Sequence, residues 1–472
     1  MSFVRDNMAP LMFVGMILFM LIGYPAAFSL AATGLFFGFI GIEFGLITPD
    51  FLGNLTYQLF GIISNDLLLA IPFFTFMGAI LERCGLAEDL LDSIGQLFGP
   101  VRGGMSYAVI FVGAVLGAIT GTVAASVIAM GVISMTPMLK YGYSRSHTMG
   151  VIAASGTITQ LIPPSLVLVV LADVLGRSVG DMYAGAIGPS IIQVALFCVW
   201  VAIVSILWPK AVPALPIEAR TLNGWALWKK CLRGMIPSLG LIFLVLGTIF
   251  MGLATPTEAG AMGVVGAIAL AGSYGTLTWK LLYEGMASTM RLTAMVVYIL
   301  IGARVFSLIF QGVGGKLWIE ELLTSLPGGQ LGFLIFANAF IFVVAFFLDF
   351  FEIAFIIIPM LAPVADKLGI DLVWFGVLIC ANIQTSFMHP PFGFALFYLR
   401  GIAPPTIKTS EIYWGAIPWV VLQVILVVIV IFWPGSVTYW LDKPVNADPS
   451  KIKIEIPQIN IPAIDLGPPK IQ

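Results

Sequence analysis

Two prolyl pairs lie inside apolar stretches of this chain, about 227 residues apart: ASGTITQLIPPSLVLVVL around Pro163-Pro164 and ANIQTSFMHPPFGFALFYL around Pro390-Pro391. A proline inside a helix removes an N–H donor and clashes with the preceding turn, at about 3 kcal/mol in a soluble helix. In lipid the carbonyls so freed need protein, water or an ion as partner. Such a chain is constrained to two broken helices held against other protein, and paired broken helices at matching places point to a transporter's binding site.

Composition sets the solvent. Of 472 residues, 60% are hydrophobic and 10% charged, and the net charge is -2; mean hydropathy is +1.04. A soluble domain carries about 25% charged residues, so this reads as an all-α polytopic membrane protein lying in a lipid bilayer, with its charges gathered between apolar runs. Nothing favours nucleic acid as a partner. Cys84, Cys198, Cys231 and Cys380 show no CxxC or CxxH spacing and read as buried small hydrophobes. The start, MSFVRDNMAPLMFVGMILFML, reads as a retained first span rather than a cleaved signal.

Spans are expected near 9–22, 26–45 and 66–81, followed by an amphipathic interfacial segment at 85–99. An apolar run, about 104–139, is interrupted by GAITGT; a broken helix follows at about 146–176, then a span at 183–208. The proline-rich, positive stretch 209–234 divides a first repeat (1–208) from a second (235–433), and by the positive-inside rule it faces the cytoplasm. The second repeat has spans near 235–252, 257–274 and 287–310, an amphipathic segment at 316–326, a run at about 330–365 interrupted by LDFFE, a broken helix at about 371–399 and a last span at 412–433. A polar, proline-rich tail occupies 434–472. Matched features keep an offset of about 225–231 residues. The interrupted runs are too long for one helix of about 20 residues, so they read as re-entrant hairpins. Each half then has about five spans, an odd number, which turns the second copy upside down.

Re-entrant tips survive at membrane depth only against protein or water. Ser155, Gly156 and Thr157 align with Asn382, Ile383 and Gln384, so tips and breaks together carry hydroxyls, amides and free carbonyls. Hard oxygens of this kind suit an alkali cation, and helix N-termini after the breaks suit a carboxylate. Thr122 and Ser155 are expected to hold one ion across the hairpin-to-break interface. Asp349, at the second tip, reads either as a cation or substrate contact or as a helix N-cap. Arg304 lies within VVYILIGARVFSLIF and is expected to face a polar cavity or to snorkel to an interface. Ser155, Arg304, Asp349 and Phe350 are the candidate substrate contacts, although Phe350, Phe351 and Phe392 also read as packing residues. Glu258 and Glu352 read as cap or loop contacts, and His389 as a satisfied imidazole at a helix end.

Three function classes compete: a secondary transporter, an ion channel or structural membrane scaffold, and an intramembrane enzyme. A channel needs a ring of pore residues from several subunits. An enzyme needs a HExxH, a GxSxG with His or a pair of membrane aspartates, none of which is evident, and no GxxxxGK[ST] motif points to ATP. The sequence favours the transporter.

The motifs GTITQLIPPS (156–165), TPTEAG (255–260), IPFFTFMG (71–78) and NIQTSFMHPPFGFALF (382–397) together resemble the large (M) membrane subunit of tripartite ATP-independent periplasmic (TRAP) transporters, over residues 8 to 433. The resemblance implies sodium-driven uptake of a small organic acid across the bacterial inner membrane by an elevator motion of transport domain against scaffold. It implies two partners, a periplasmic substrate-binding protein and a small four-helix membrane subunit. It implies Na+ as coupling ion, with Thr120, Gly121, Thr122, Ser155 and Gly156 at a first site and Asp349, Asn382 and Thr385 at a second. His389 stands where many members of the family have Thr.

Overall fold

Glycine, proline and small hydroxyl residues punctuate the apolar runs, and helices occupy the intervals between them. The computed structural model describes residues 2–441 except Asn223 and Phe392, so most of the expected tail lies outside the described residues. Among the described residues no strand occurs. The first half contains α1 (Met8–Leu21), α2 (Ala26–Glu43), α3 (Asn54–Ile63), α4 (Ala70–Arg83), α5 (Leu86–Leu97), α6 (Gly104–Thr120), α7 (Val123–Lys140), α8 (Arg145–Thr157), α9 (Leu166–Leu175) and α10 (Val179–Leu207). The second contains α11 (Gly224–Phe250), α12 (Pro256–Ser273), α13 (Trp279–Gly312), α14 (Gly315–Thr324) and α15 (Gly329–Val344). Then come a turn Phe350–Glu352, a π-helical turn Ile353–Ile357, α16 (Ile358–Lys367), α17 (Leu372–Ser386), α18 (Phe394–Ile402) and α19 (Thr409–Phe432). Six of these, α2, α7, α10, α11, α13 and α19, are long and apolar enough to cross a bilayer singly. Both prolyl pairs are cis, and they sit in the breaks between α8 and α9 and between α17 and α18.

Two boundaries differ from expectation. The stretch 224–234, read as loop, is the start of α11. Leu227, Cys231, Gly234, Ser238 and Leu241 recur at helical spacing and are buried, and Lys230 ion-pairs Asp92 of α5. The breaking residues, Pro209, Pro213 and Pro216, all precede Gly224. The third element of the first half is also divided. A 3-10 turn (Pro49–Gly53) with α3, which the hydropathy reading leaves unassigned, meets Asp66–Arg83 at a bend of 48°. Asn65 sits extended at that bend, accepts from the N–H of Leu67 and donates to the Asp173 carboxylate at 2.8 Å. Its counterpart about 227 positions on, Leu292, lies within the unbroken 34 residues of α13.

Small residues set which helices approach most closely. A Cβ added to Gly34 of α2 would come within 3.1 Å of the Phe306 Cα of α13, and one on Gly302 would overlap the Ala27 carbonyl. Likewise a Cβ on Gly150 of α8 would overlap the Gly415 carbonyl of α19, and one on Gly415 would overlap that of Ser146. Without a hydrophobic driving force in lipid, such backbone approach is a main source of helix association. Gly415→Leu is therefore expected to cost at least the 1–3 kcal/mol typical of overpacking, about, and to collapse the monodisperse peak of detergent-purified protein. Gly240→Leu, into open space, should leave that peak unchanged. Equal behaviour of the two variants would show that the α8–α19 approach is not limiting.

Candidate functional site

The two interrupted runs fold as helical hairpins, and their tips meet across a cleft of about 560 Å³, its open mouth included. The first tip contributes Gly121, Thr122, Val123 and Ala124, and the second contributes Asp349, Phe350 and Phe351. Gln160, Leu166 and Val167 enter from the first break, Phe387 and Tyr398 from either side of the second, and Leu292 and Met295 from α13. Gly121 turns the chain between α6 and α7 with φ +65°, a left-handed conformation that suits glycine, and a Cβ added there would lie 3.8 Å from Leu166 Cβ. Thr122 is the N-cap of α7 but its side chain makes no capping bond, so the first N–H groups of that helix, whose residues Val123 and Ala124 line the cleft, have no intrahelical acceptor. Thr120 closes α6, and its side chain lies outside the described residues.

Of the candidate residues, Gly121, Thr122, Asp349 and Phe350 share this cleft; Ser155, Gly156, Asn382, Thr385 and Arg304 do not line it. Ser155 lies beside the arm of the first hairpin, where a Cβ on Gly113 would meet its Cβ at 2.6 Å, and its hydroxyl donates to the Ile152 carbonyl at 2.9 Å. Gly156 packs on Val127 of the other arm. Ser155 thus lies outside the lining of the cleft that holds Thr122, and the tip packs toward Leu166 on the far side of the break. The second half repeats this placement. Asn382 Nδ2 donates to the Asn338 carbonyl of α15 at 2.8 Å, and Thr385 donates to the Asn382 carbonyl at 2.7 Å. Asn338 Oδ1 is buried there without a partner, as are Thr159 Oγ1 and Gln160 Oε1 in the first half.

Asp349 and Glu352 close a capping box. Glu352 N–H donates to Asp349 Oδ1 at 3.1 Å, and Asp349 N–H donates to Glu352 Oε2 at 3.0 Å. Thr255 and Glu258 form the same device at the start of α12. Phe350 is buried and stacks obliquely on Phe351 at 4.7 Å. Arg304 is exposed, on the far side of α13 from the Gly302 and Phe306 contacts with α2. By helical spacing it shares a face with Ser307 and Gln311, which line a separate pocket with Lys316. His389 corrects its expectation as well. It is buried between Phe342 and Phe346, with ring centroids at 4.0 and 4.4 Å, and neither nitrogen has a partner. Phe392 lies outside the described residues.

Two glutamines at the centre, Gln193 and Gln423, escaped the sequence reading. Gln193 of α10 and Gln384 of α17, both buried, exchange two amide hydrogen bonds at 2.8 and 3.1 Å. Gln423 of α19 donates to Thr157 Oγ1 of α8 at 3.1 Å. Under the repeat offset, Gln423 is the counterpart of Gln193 and Gln384 that of Thr157, so the same contact is made from each half to the other. Cys380 Sγ adds a bond to the Gln160 carbonyl at 3.2 Å, which also receives the Ser165 hydroxyl. A lone Gln in the last span of each half was the available signal. Among the described residues no group of three or more His, Cys, Asp and Glu has metal-site geometry, and the cleft is lined by the Thr122 and Tyr398 hydroxyls, the Gln160 amide and the Asp349 carboxylate.

The family model described as Tripartite ATP-independent periplasmic transporter, DctM component, matches residues 13–436. The C4-dicarboxylate TRAP transporter large permease protein DctM of Pseudomonas aeruginosa is 29% identical, over 83% of this chain and 90% of its own length. The ectoine/5-hydroxyectoine TRAP transporter large permease protein UehC of Ruegeria pomeroyi is 28% identical, over 92% and 99%. In fold the chain is similar to the Alcanivorax borkumensis YdaH transporter, with a TM-score of 0.55 and 16% identity over 82% of this chain and 88% of that one.

Proposed function

The chain belongs to the family of DctM components of tripartite ATP-independent periplasmic transporters, and we propose from that premise that it carries a small organic acid inward on a sodium gradient. It is a multi-pass inner membrane protein whose relatives are transporter permeases, not enzymes. The observation that carries the reading is the cleft between two hairpin tips, where helix ends, amides and hydroxyls converge from both halves. On this reading the halves are an inverted repeat. Helices α6–α10 and α15–α19 travel as the transport part against α1–α4 and α11–α13, with α5 and α14 as connectors, and the 208–223 loop lies on the cytoplasmic side.

Sodium coupling rests on oxygen chemistry. The first ion draws on Thr120, Gly121, Thr122, Ser155 and Gly156, and the second on Asn382 and Thr385 with the adjacent orphan oxygen of Asn338. Asp349 faces the cleft and is assigned to the substrate, together with Phe350. Ser155 and Arg304 leave the substrate set because neither lines that cleft. The substrate arrives on a periplasmic binding protein, and a small membrane subunit completes the complex. The substrates for which the relatives are named, C4-dicarboxylates and ectoine, bracket the class.

The test is uptake into proteoliposomes holding the complete complex, with and without a sodium gradient. Two sodium ions with a monovalent acid move a net charge of one, and each 100 mV then adds about 2.3 kcal/mol, about fiftyfold in accumulation. An inside-negative potential imposed with valinomycin should therefore raise uptake. Accumulation that ignores sodium would overturn the coupling, and accumulation that follows sodium but ignores potential would reduce the count to one ion per monovalent acid.

A further inference from the structure

Resting on the reading of the inter-tip cleft as the substrate site, we propose that the preferred substrate is a zwitterion, an organic acid that also carries a cationic nitrogen group. The cleft is electrically two-sided. On one side Asp349 presents a carboxylate whose neighbour, Glu352, is locked to it by the reciprocal backbone bonds. Among the described residues neither acid has an ion-pair partner, and no Lys, Arg or His lines the cleft. Arg304, the one membrane cation that had been a candidate for the substrate's carboxylate, does not line it. On the other side stands the N-terminus of α7, an 18-residue helix with no side-chain cap, whose free N–H groups and dipole receive a carboxylate.

A second observation is independent of both charges. Gln160 is 2% exposed and lines the same cleft, and its Oε1 has no partner. A buried acceptor left open asks for a donor, which a simple carboxylate does not have and an ammonium or amidinium does. A dicarboxylate entering here would set its second charge against Asp349. A zwitterion instead places its anionic end at Val123 and Ala124 and its N–H groups between Gln160 and Asp349. Phe350, Phe351 and Phe387 enclose the apolar body.

The experiment uses the purified full chain in nanodiscs and follows thermal stabilisation against concentration for four probes. Ectoine and β-alanine are zwitterions whose cationic nitrogens carry N–H groups, succinate is a dianion, and cyclohexanecarboxylate is a monoanion without nitrogen. At least one zwitterion is expected to bind about tenfold tighter than either acid, the size of one charge-assisted contact. Asp349→Asn, which keeps a good N-cap, should erase that preference while leaving cyclohexanecarboxylate unaffected, and Glu352→Gln should act in the same direction. Tighter binding of succinate or cyclohexanecarboxylate to the unaltered chain would overturn the proposal while leaving the organic-acid site standing. Equal weakening of all probes by Asp349→Asn would overturn it too, assigning Asp349 to the coupling ion or to the fold. Binding of none of the four would overturn the cleft as substrate site and the proposal with it.

Discussion

Reconstituted without a binding protein and small subunit, this chain is expected to take up organic acid at about a hundredth of the rate of the complete complex or less. The longest connection between its described long helices is the 208–223 stretch, so among the described residues no domain outside the helices can gather dilute solute. The family works with a small membrane subunit and a periplasmic binding protein, and on the proposed reading that protein docks and raises the local concentration at the cleft, where effective-concentration gains run to about 10²–10⁴. The measurement is initial uptake into proteoliposomes as the small subunit and the binding protein are added in turn. Full uptake by the chain alone would refute the tripartite assignment.

The second large effect concerns the buried glutamine pair. Gln384→Leu removes both hydrogen bonds of Gln193 and leaves a buried donor and a buried acceptor unpaired. Each unsatisfied group costs about 1–3 kcal/mol, so the single variant should lose about 2–6 kcal/mol of stability. Gln193→Leu with Gln384→Leu removes both partners together and should recover most of that loss, because an apolar pair of similar shape is close to neutral. The check is a double-mutant cycle on the unfolding midpoint in a denaturing detergent titration. Additive losses would mean that the two amides are satisfied independently, by water or by an ion, and that the pair does not tie α10 to α17. The single variants should also impair uptake, since this contact links the last span of one half to the broken helix of the other.

Much of the architecture was legible because it is local. Apolar runs and their punctuation placed α5, α14 and the four helix interruptions, since GAITGT, LDFFE and the prolyl pairs interrupt helices whatever the surroundings. The site was legible only in part. Gly121, Thr122, Asp349 and Phe350 reach the cleft because they are tip residues, and a tip is defined by the chain itself. Ser155 and Asn382 were expected in the breaks, facing the tips, on the strength of alignment between halves. They lie instead along the hairpin arms, because each helical residue advances 1.5 Å, about, and the tip projects past them.

Rotation was the larger omission. Hydropathy shows that Arg304 lies in a span but not which way it points. That follows from Gly302 and Phe306 docking on Ala27 and Gly34 of α2, which leaves the intervening Arg304 on the opposite side. Asn65 could not be foreseen as a bend either, since its partner Asp173 stands 108 residues away. The same holds for Gln193 with Gln384, 191 residues apart. By itself the sequence determined helices and their interruptions, because these depend on side-chain type within a turn or two of the chain. Depth along a hairpin, rotation about a helix axis and the partner of each buried amide were decided by tertiary structure alone. They depend on which backbones approach closely, and that approach joins residues more than a hundred positions apart.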